Sequence, residues 1–298
     1  MPLERLLRYL ASQHFLAQTG PSTYALTDYT RALADPKSAA IFTFGSQFIT
    51  PLFCNFPKFA MDTDYRNPVD LLHSNYQNLY GEGASVFGRM KEDPELGTAF
   101  NDSMTHFALN KMAWTDIYPV SEIVTDSRPG KALVVDIGGG VGHDLERFRT
   151  RHPDVPAGSL ILQDLPAVVA AATVISPIQT QAYDMFTPQP VRGAKVYFLH
   201  NVLHDWPDAQ AVEILRTVAE GMELGYSRLL LNENVILEQG ANSLATMLDM
   251  CMMMIFSSVE RTEGHWRELI DKVPELRLVK IWTARGAVES VLELELVA

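Results

Sequence analysis

Val134-Val135-Asp136-Ile137-Gly138-Gly139-Gly140-Val141-Gly142 is the stretch whose reading decides the fold. An apolar run of strand character enters a cluster of glycines, and a helical pattern follows over 142–151. Glycine has no side chain and tolerates φ > 0, so the chain can turn sharply there and a ligand can lie against bare backbone. Strand, glycine turn and helix in that order place such a ligand at the carboxyl edge of a parallel sheet, beside a helix N-terminus. The plainer reading of the same residues is a structural turn.

Downstream the pattern repeats. Strand-like runs at 132–137, 159–163, 195–200 and 228–233 are each followed by a helical pattern: 142–151, a run starting at Pro166, 208–222 and 243–258. Strands alternating with helices of this length make βαβ units and a parallel sheet covered on both faces. The end differs. Runs at 276–284 and 289–297 flank Arg285-Gly286-Ala287, and Leu292-Glu293-Leu294-Glu295-Leu296 alternates apolar and acidic residues. That is a strand with one wet face, in a closing antiparallel hairpin.

Upstream, Ser127-Arg128-Pro129-Gly130 marks the change of pattern. Residues 36–128 are mostly helical and rich in aromatics and methionine. Before them, Leu3, Leu6, Leu7 and Leu10 repeat at helical spacing, Gly20-Pro21-Ser22 breaks the helix, and Tyr24-Ala25-Leu26-Thr27 has strand character. Helix, β-wing, helix is a partial winged-helix pattern. The expected fold is therefore α/β: a Rossmann-like, doubly wound, mainly parallel sheet with a C-terminal antiparallel hairpin, preceded by a mostly helical partial winged-helix domain. Residues 1–115 form the helical front region and 116–298 the ligand-binding domain.

Composition narrows the function. The chain has 298 residues, 36 acidic against 24 basic, and a net charge of −12. That disfavours nucleic acid and anionic membranes, both of which select basic faces. Cys54 and Cys251 both lie among apolar residues, so both are expected to be buried, with no disulfide framework. No metal is expected, because the carboxylates and histidines do not form a ligand cluster. The longest apolar stretch, 247–256, is too short for a bilayer, and the N-terminus lacks the apolar core of a signal peptide. These features point to the cytoplasm.

The glycine spacing selects the ligand. A dinucleotide fingerprint, G-x-G-x-x-G, requires glycine at 143, where His143 stands. Asp136 at the loop's entry suits a cation better than a pyrophosphate. S-adenosylmethionine has an ammonium, a sulfonium and no phosphate. Asp164 ends the next strand, where a carboxylate can accept two ribose hydroxyls.

Five motifs now stand in order: Asp136-x-Gly138-Gly-Gly140-x-Gly142, Asp164-Leu165-Pro166, Asp184-Met185-Phe186, His204-Asp205-Trp206 and Glu260-Arg261-Thr262. The series resembles the S-adenosylmethionine-dependent small-molecule O-methyltransferases of plants and fungi, nearest their fungal secondary-metabolite branch. The resemblance covers about 130–284 and reaches back more weakly to residue 1. It implies that Asp136, Gly138 and Gly140 line the methionine part of the cofactor and Asp164 with Leu165 the ribose. Asp184, Met185 and Phe186 would border the adenine. His200 stands where relatives have a lysine or arginine near the cofactor. His204 would be the general base, with Glu233 and Glu260 orienting it. Met104, Met112 and Trp114 fall where the family builds its substrate pocket, and Met253, on a Met-rich helix, could line it. The product would be S-adenosylhomocysteine. The family also carries a further N-terminal segment that contributes to a homodimer, and the resemblance implies that residues 1–115 serve dimerisation and substrate contact.

The chemistry is consistent with those roles. Methyl transfer from a sulfonium is an in-line displacement, so the protein chiefly positions its reactants. A phenol or enol must lose a proton to attack, and histidine suits that near neutral pH. The acceptor is an aromatic or polyketide-like molecule. The competing reading is a pericyclase of the same fold, of Diels–Alder or Alder-ene type, that binds S-adenosylmethionine without consuming it. A nicotinamide oxidoreductase and a non-enzymatic regulator fit less well.

Overall fold

The computed structural model describes residues 2–109, 111–172, 174 and 178–298. They fall into two compact units, Met1–Pro57 with Ala84–Asn110, and Lys58–Gly83 with Lys111–Ala298.

The first unit opens with α1 (Pro2–Ser12), a two-stranded antiparallel hairpin of β1 (Leu16–Gly20) and β2 (Thr23–Leu26), and α2 (Asp28–Leu33). Thr27 and Thr30 cap α2 reciprocally, each hydroxyl accepting the other's backbone N–H. Two donors that a helix start leaves orphaned are thereby satisfied. α3 (Pro36–Phe44) continues through a π-helical turn, Gly45–Ile49, into α4 (Thr50–Asp62). The joint helical run, Pro36–Asp62, is 27 residues long with mean hydropathy reaching 1.2, so by length and composition it could cross a bilayer. This corrects the expectation that 247–256 is the longest apolar stretch. Thr43, Ser46, Gln47, Thr50 and Asn55 interrupt the apolar pattern, but no residue between Lys37 and Lys58 is charged. Cys54 is exposed on this run, contrary to expectation, because α4 buries Leu52 and Phe59 and leaves Phe53 and Cys54 outside. Cys251 is buried. α5 (Asn75–Tyr80) belongs to the second unit; α6 (Val86–Glu92) and α7 (Pro94–Leu109) return to the first. There Phe44 stacks on Phe48 at 5.0 Å and meets Phe100 of α7 at 5.6 Å.

The second unit continues with α8 (Trp114–Ile117), α9 (Ser121–Thr125), β3 (Val134–Ile137), α10 (His143–Arg151), β4 (Leu160–Asp164), α11 (Pro166–Ala171), β5 (Ile178–Ala182) and β6 (Val196–His200). Then come α12 (Asp208–Gly221), β7 (Arg228–Asn234), α13 (Ser243–Phe256), α14 (Glu263–Ile270), β8 (Leu276–Trp282) and β9 (Glu289–Leu296). The seven-stranded sheet has the order β5-β4-β3-β6-β7-β9-β8. Its first five strands are parallel, and β9 runs antiparallel to both β7 and β8. The expected doubly wound sheet with a terminal hairpin is thus present. The sequence pattern does not announce β5 or α14. β5, Ile-Gln-Thr-Gln-Ala, is a polar edge strand whose hydrogen bonds to β4 outweigh its composition. α14 starts at the N-cap Thr262, whose hydroxyl accepts the His265 N–H.

The core explains the apolar runs. Val135, Ile137, Tyr197 and Leu199 pack with α12 and α14, while Val134 and Phe198 pack with Trp114, Leu145 and Phe148. Burial on both faces is what makes parallel strands continuous hydrophobic runs rather than alternating ones. β4 and β6 flank β3, so the chain crosses over in opposite directions from it. The crevice that such a reversal opens lies at the carboxyl ends of β3 and β6.

Candidate active site

The glycine loop leaves β3 into that crevice. Gly138 has φ of +71°, and a Cβ there would lie 2.9 Å from Val202 Cγ2. Only glycine lets the loop after β6 close on the loop after β3. Gly140, with φ of +60°, has no heavy atom within 4 Å of where its Cβ would be, so its backbone borders open space. Asp164, at the end of β4, accepts the Gly140 N–H at 2.8 Å and the Leu165 N–H at 2.7 Å. Burial nonetheless raises its carboxyl above the ordinary range. Asp136 is 1% exposed and both its oxygens lack a hydrogen-bond partner among the described residues. Burial, then the nearby Asp144 carboxylate, pushes it well above the usual carboxylate range. A buried acid without partners is satisfied by a ligand that brings a cation or donors.

The other residues assigned to the cofactor follow the neighbouring strand ends. Met185 Cε lies 3.5 Å from the Gly138 Cβ position. Asp184 accepts the Phe186 N–H at 3.1 Å, and Phe186 meets Trp206 edge-on at 4.7 Å. His200 differs from its neighbours, since both its ring nitrogens already face carboxylates, Asp144 at 2.6 Å and Glu289 at 3.0 Å.

His204 lies on the loop after β6, its side chain 12% exposed. Asn201, at φ of +50°, turns the chain out of the strand, and its N–H is held by the Asn232 carbonyl. His204 Nδ1 is 2.8 Å from Glu260 Oε1, and Nε2 is 3.5 Å from Asp205 Oδ1. Burial disfavours the imidazolium, but the carboxylates of Asp205, Glu260 and Glu233 overcome it and raise His204 to about 9. Burial also raises Glu233 to about 7 and Asp205 to about 6. Glu233 holds the loop rather than the ring: its Oε1 accepts the Val202 and Leu203 N–H groups at 3.0 and 2.8 Å. Glu260 reaches His204 because α13 ends at Ser257 in a left-handed turn, φ +53°, that reverses the chain. The Asp249 carboxylate then accepts the Glu260 N–H at 2.9 Å.

His204, Glu233 and Glu260 present ligating atoms within 4.8 Å of one another. This corrects the expectation that the histidines and carboxylates do not cluster; β6, β7 and the turn after α13 converge from separate parts of the sequence. As a metal site the trio is already committed, with Nδ1 on Glu260 and Glu233 on two amides. It is suited to holding and moving a proton.

The substrate candidates are scattered. Met104, 39% exposed, is in the first unit. Met253 is half-buried on α13, and Met112 packs beside Trp114. Trp114 is 1% exposed, parallel to Phe148 at 5.6 Å and against Phe198 at 4.7 Å, which is a core position.

Three residues of this edge escape sequence reasoning. Asp205 and Arg261 stood inside motifs without an assigned role. Fully buried Arg261 donates to the Leu203 and Trp206 carbonyls, each at 2.9 Å, and to Asp208, stapling the His204 loop to the start of α12. A charged residue beside a motif acid was the available signal. Glu289 had none, since it lies far away in the hairpin.

Comparisons with known proteins identify the family. A family model described as an O-methyltransferase domain matches residues 64–273. O-methyltransferase mfmE of Annulohypoxylon moriforme is 36% identical over 294 residues, 99% of this chain and 73% of that protein. The structure of LepI in complex with S-adenosylmethionine is similar at a TM-score of 0.89 and 32% identity, covering 99% of this chain and 76% of that one. A chain described as a pericyclic reaction enzyme matches with the same values. With the model spanning most of the sequence and a relative this similar, the chain belongs to the O-methyltransferase family.

Proposed function

We propose that this O-methyltransferase moves a methyl group from S-adenosylmethionine to a phenol or enol hydroxyl of an aromatic or polyketide-like fungal secondary metabolite, with His204 as general base. The observation that carries the reading is the His204 Nδ1–Glu260 contact of 2.8 Å, on the loop that closes against Gly138. A carboxylate on Nδ1 fixes the tautomer and leaves Nε2 to take the acceptor's proton. The donor fits the residues present: Asp136 has two oxygens unpaired among the described residues for a cationic group, Gly140 borders open space, and Asp164 at the end of β4 offers a carboxylate for the ribose hydroxyls. Bound S-adenosylmethionine supplies a methyl already activated by its sulfonium. His204 removes the hydroxyl proton, Glu260 stabilises the resulting imidazolium, and Glu233 holds the loop in place. Asp164 and Leu165, then Asp184, Met185 and Phe186, form the rest of the donor pocket. Met112 and Met253 are the acceptor-side residues of this reading, with Met104 a candidate in the first unit; Trp114, expected there from the resemblance, is packed in the core instead. Residues 1–115 serve dimerisation and substrate contact, and 116–298 the donor. The enzyme works as a homodimer in the cytoplasm; its net charge of −12 supports a reading without nucleic-acid partners or attraction to anionic membranes.

One observation favours a second reading: the match to a pericyclic reaction enzyme at a TM-score of 0.89. Incubation with S-adenosylmethionine and a panel of phenolic polyketides separates the two. Methyl transfer yields one S-adenosylhomocysteine per methylated product, detected by mass spectrometry. A rearranged product without S-adenosylhomocysteine overturns the methyltransferase reading.

A further inference from the structure

Glu289 opens β9 and belongs to no motif. Its side chain is 1% exposed, yet four donors converge on it. They are His200 Nε2 at 3.0 Å, Asn201 Nδ2 at 2.9 Å, Asn232 Nδ2 at 3.2 Å and the Lys111 ammonium. The other His200 nitrogen faces Asp144 at 2.6 Å. Carboxylates accept hydrogen bonds and do not donate them, so a ring held at both ends carries two protons. The remaining charged groups around this ring are Asp136 on β3, Arg147 on α10 and Lys111.

The network joins elements that must stay in register. Asp144 sits in the first turn of α10, two residues beyond Gly142, the last glycine of the loop. His200 ends β6, four residues before His204. Asn232 lies on β7 and Glu289 on β9. We propose that Glu289 is a positioning residue: it keeps His200 protonated and so ties the glycine loop to the strand end that carries His204. Neutral histidine has a single N–H, so it must release one of the two carboxylates. The ladder fixes β6 and β9, which leaves the start of α10 as the part set free. The consequence for the donor rests on the reading that this loop holds S-adenosylmethionine.

Histidine NMR on the full chain, from about pH 6 to about pH 9, tests the assignment without any ligand. The wild-type His200 signal is expected to stay protonated across that range. In Glu289→Gln it should titrate within it, and Glu289→Asp, which keeps the charge, should restore the wild-type behaviour. Hydrogen exchange over 138–146 should quicken in Glu289→Gln as the pH rises. By calorimetry, the affinity of Glu289→Gln for S-adenosylmethionine should fall about tenfold more than that of wild type across the range. His200→Lys in the Glu289→Gln background should abolish that extra pH dependence. A His200 signal that loses its proton within that range, below about pH 9, in the wild type overturns the proposal even if no variant folds. So does an unchanged His200 titration in Glu289→Gln. Wild-type protein that fails to bind S-adenosylmethionine refutes the donor reading instead, and leaves the NMR result to decide the role of Glu289.

Discussion

His200 and His204 stand four residues apart at one end of β6, each between carboxylates, and they are built for opposite purposes. His200 is saturated: both ring nitrogens are bonded, and its partner Glu289 is bonded four times over. His204 is half-made. Among the described residues, one nitrogen is held by Glu260, the other has only Asp205 at 3.5 Å, and the second oxygens of Glu233 and Glu260 are buried without partners. A saturated charge network specifies geometry, whereas one left incomplete has capacity for a substrate or a proton. The same contrast divides the carboxylates at the glycine loop, where Asp144 is paired and Asp136 is not.

The largest effect that follows is on His204. His204→Ala should lower turnover about a thousandfold, the usual scale of a general base, and leave the S-adenosylmethionine dissociation constant nearly unchanged. Release of S-adenosylhomocysteine and calorimetry measure the two quantities. Unchanged turnover would show that the incomplete site is not where the proton goes.

Glu260→Gln comes next and also moves the pH profile. His204 is raised to about 9, so the ring is an imidazolium at neutral pH and becomes a base only as the pH climbs. The wild-type kcat/KM should therefore rise with pH toward that value. Removing the Glu260 charge lowers the His204 pKa, so the rising limb should shift to lower pH. The plateau should fall about a hundredfold as the tautomer is lost. A limb that stays where it was assigns the titration to another group.

Asp164→Ala tests the donor side. It removes the acceptor of the Gly140 N–H in the glycine loop and of the neighbouring Leu165 N–H, together with the carboxylate proposed to hold the ribose. Weakening of S-adenosylmethionine by about tenfold to a hundredfold is expected, with kcat at saturating donor reduced less. An unaltered dissociation constant takes Asp164 out of the donor site.

Much of this contrast was legible in the sequence, for physical reasons that also mark its limit. Gly138 and Gly140 follow an apolar strand, and the parallel strands β3, β4, β6 and β7 carry apolar runs because both their faces are buried. His204, Glu233 and Asp164 each lie at or just past a strand end, so locating the strands located the edge. Glu289 reaches that edge from an antiparallel strand, whose start meets the end of β7 only once the hairpin folds back. Pairing between Asn234 and Glu289 is a tertiary fact with no local pattern. β5 was missed for a related reason, since an edge strand needs little hydrophobicity. The exposure of Cys54 was missed because apolar neighbours in sequence do not say which side of a helix is covered.

The smallest effect probes the comparison where it is weakest. Trp114 Nε1 is also buried without a partner among the described residues, so by the criterion drawn from His204 it would mark a ligand. Its surroundings argue otherwise: the ring lies between Phe148 and Phe198 among core residues, and an orphan N–H in an apolar setting is a cost that packing outweighs. Trp114→Phe removes the orphan donor along with part of the ring. The lost contact area and the relieved donor oppose each other at about 1 kcal/mol apiece, so Tm should change little and the kinetic constants not at all. If kcat/KM for the acceptor falls severalfold while Tm holds, Trp114 touches the substrate, and unpaired buried atoms mark function in this fold even when aromatic rings surround them. If neither moves, an unpaired atom is informative only where charged groups converge on the edge of the sheet, as they do around His204.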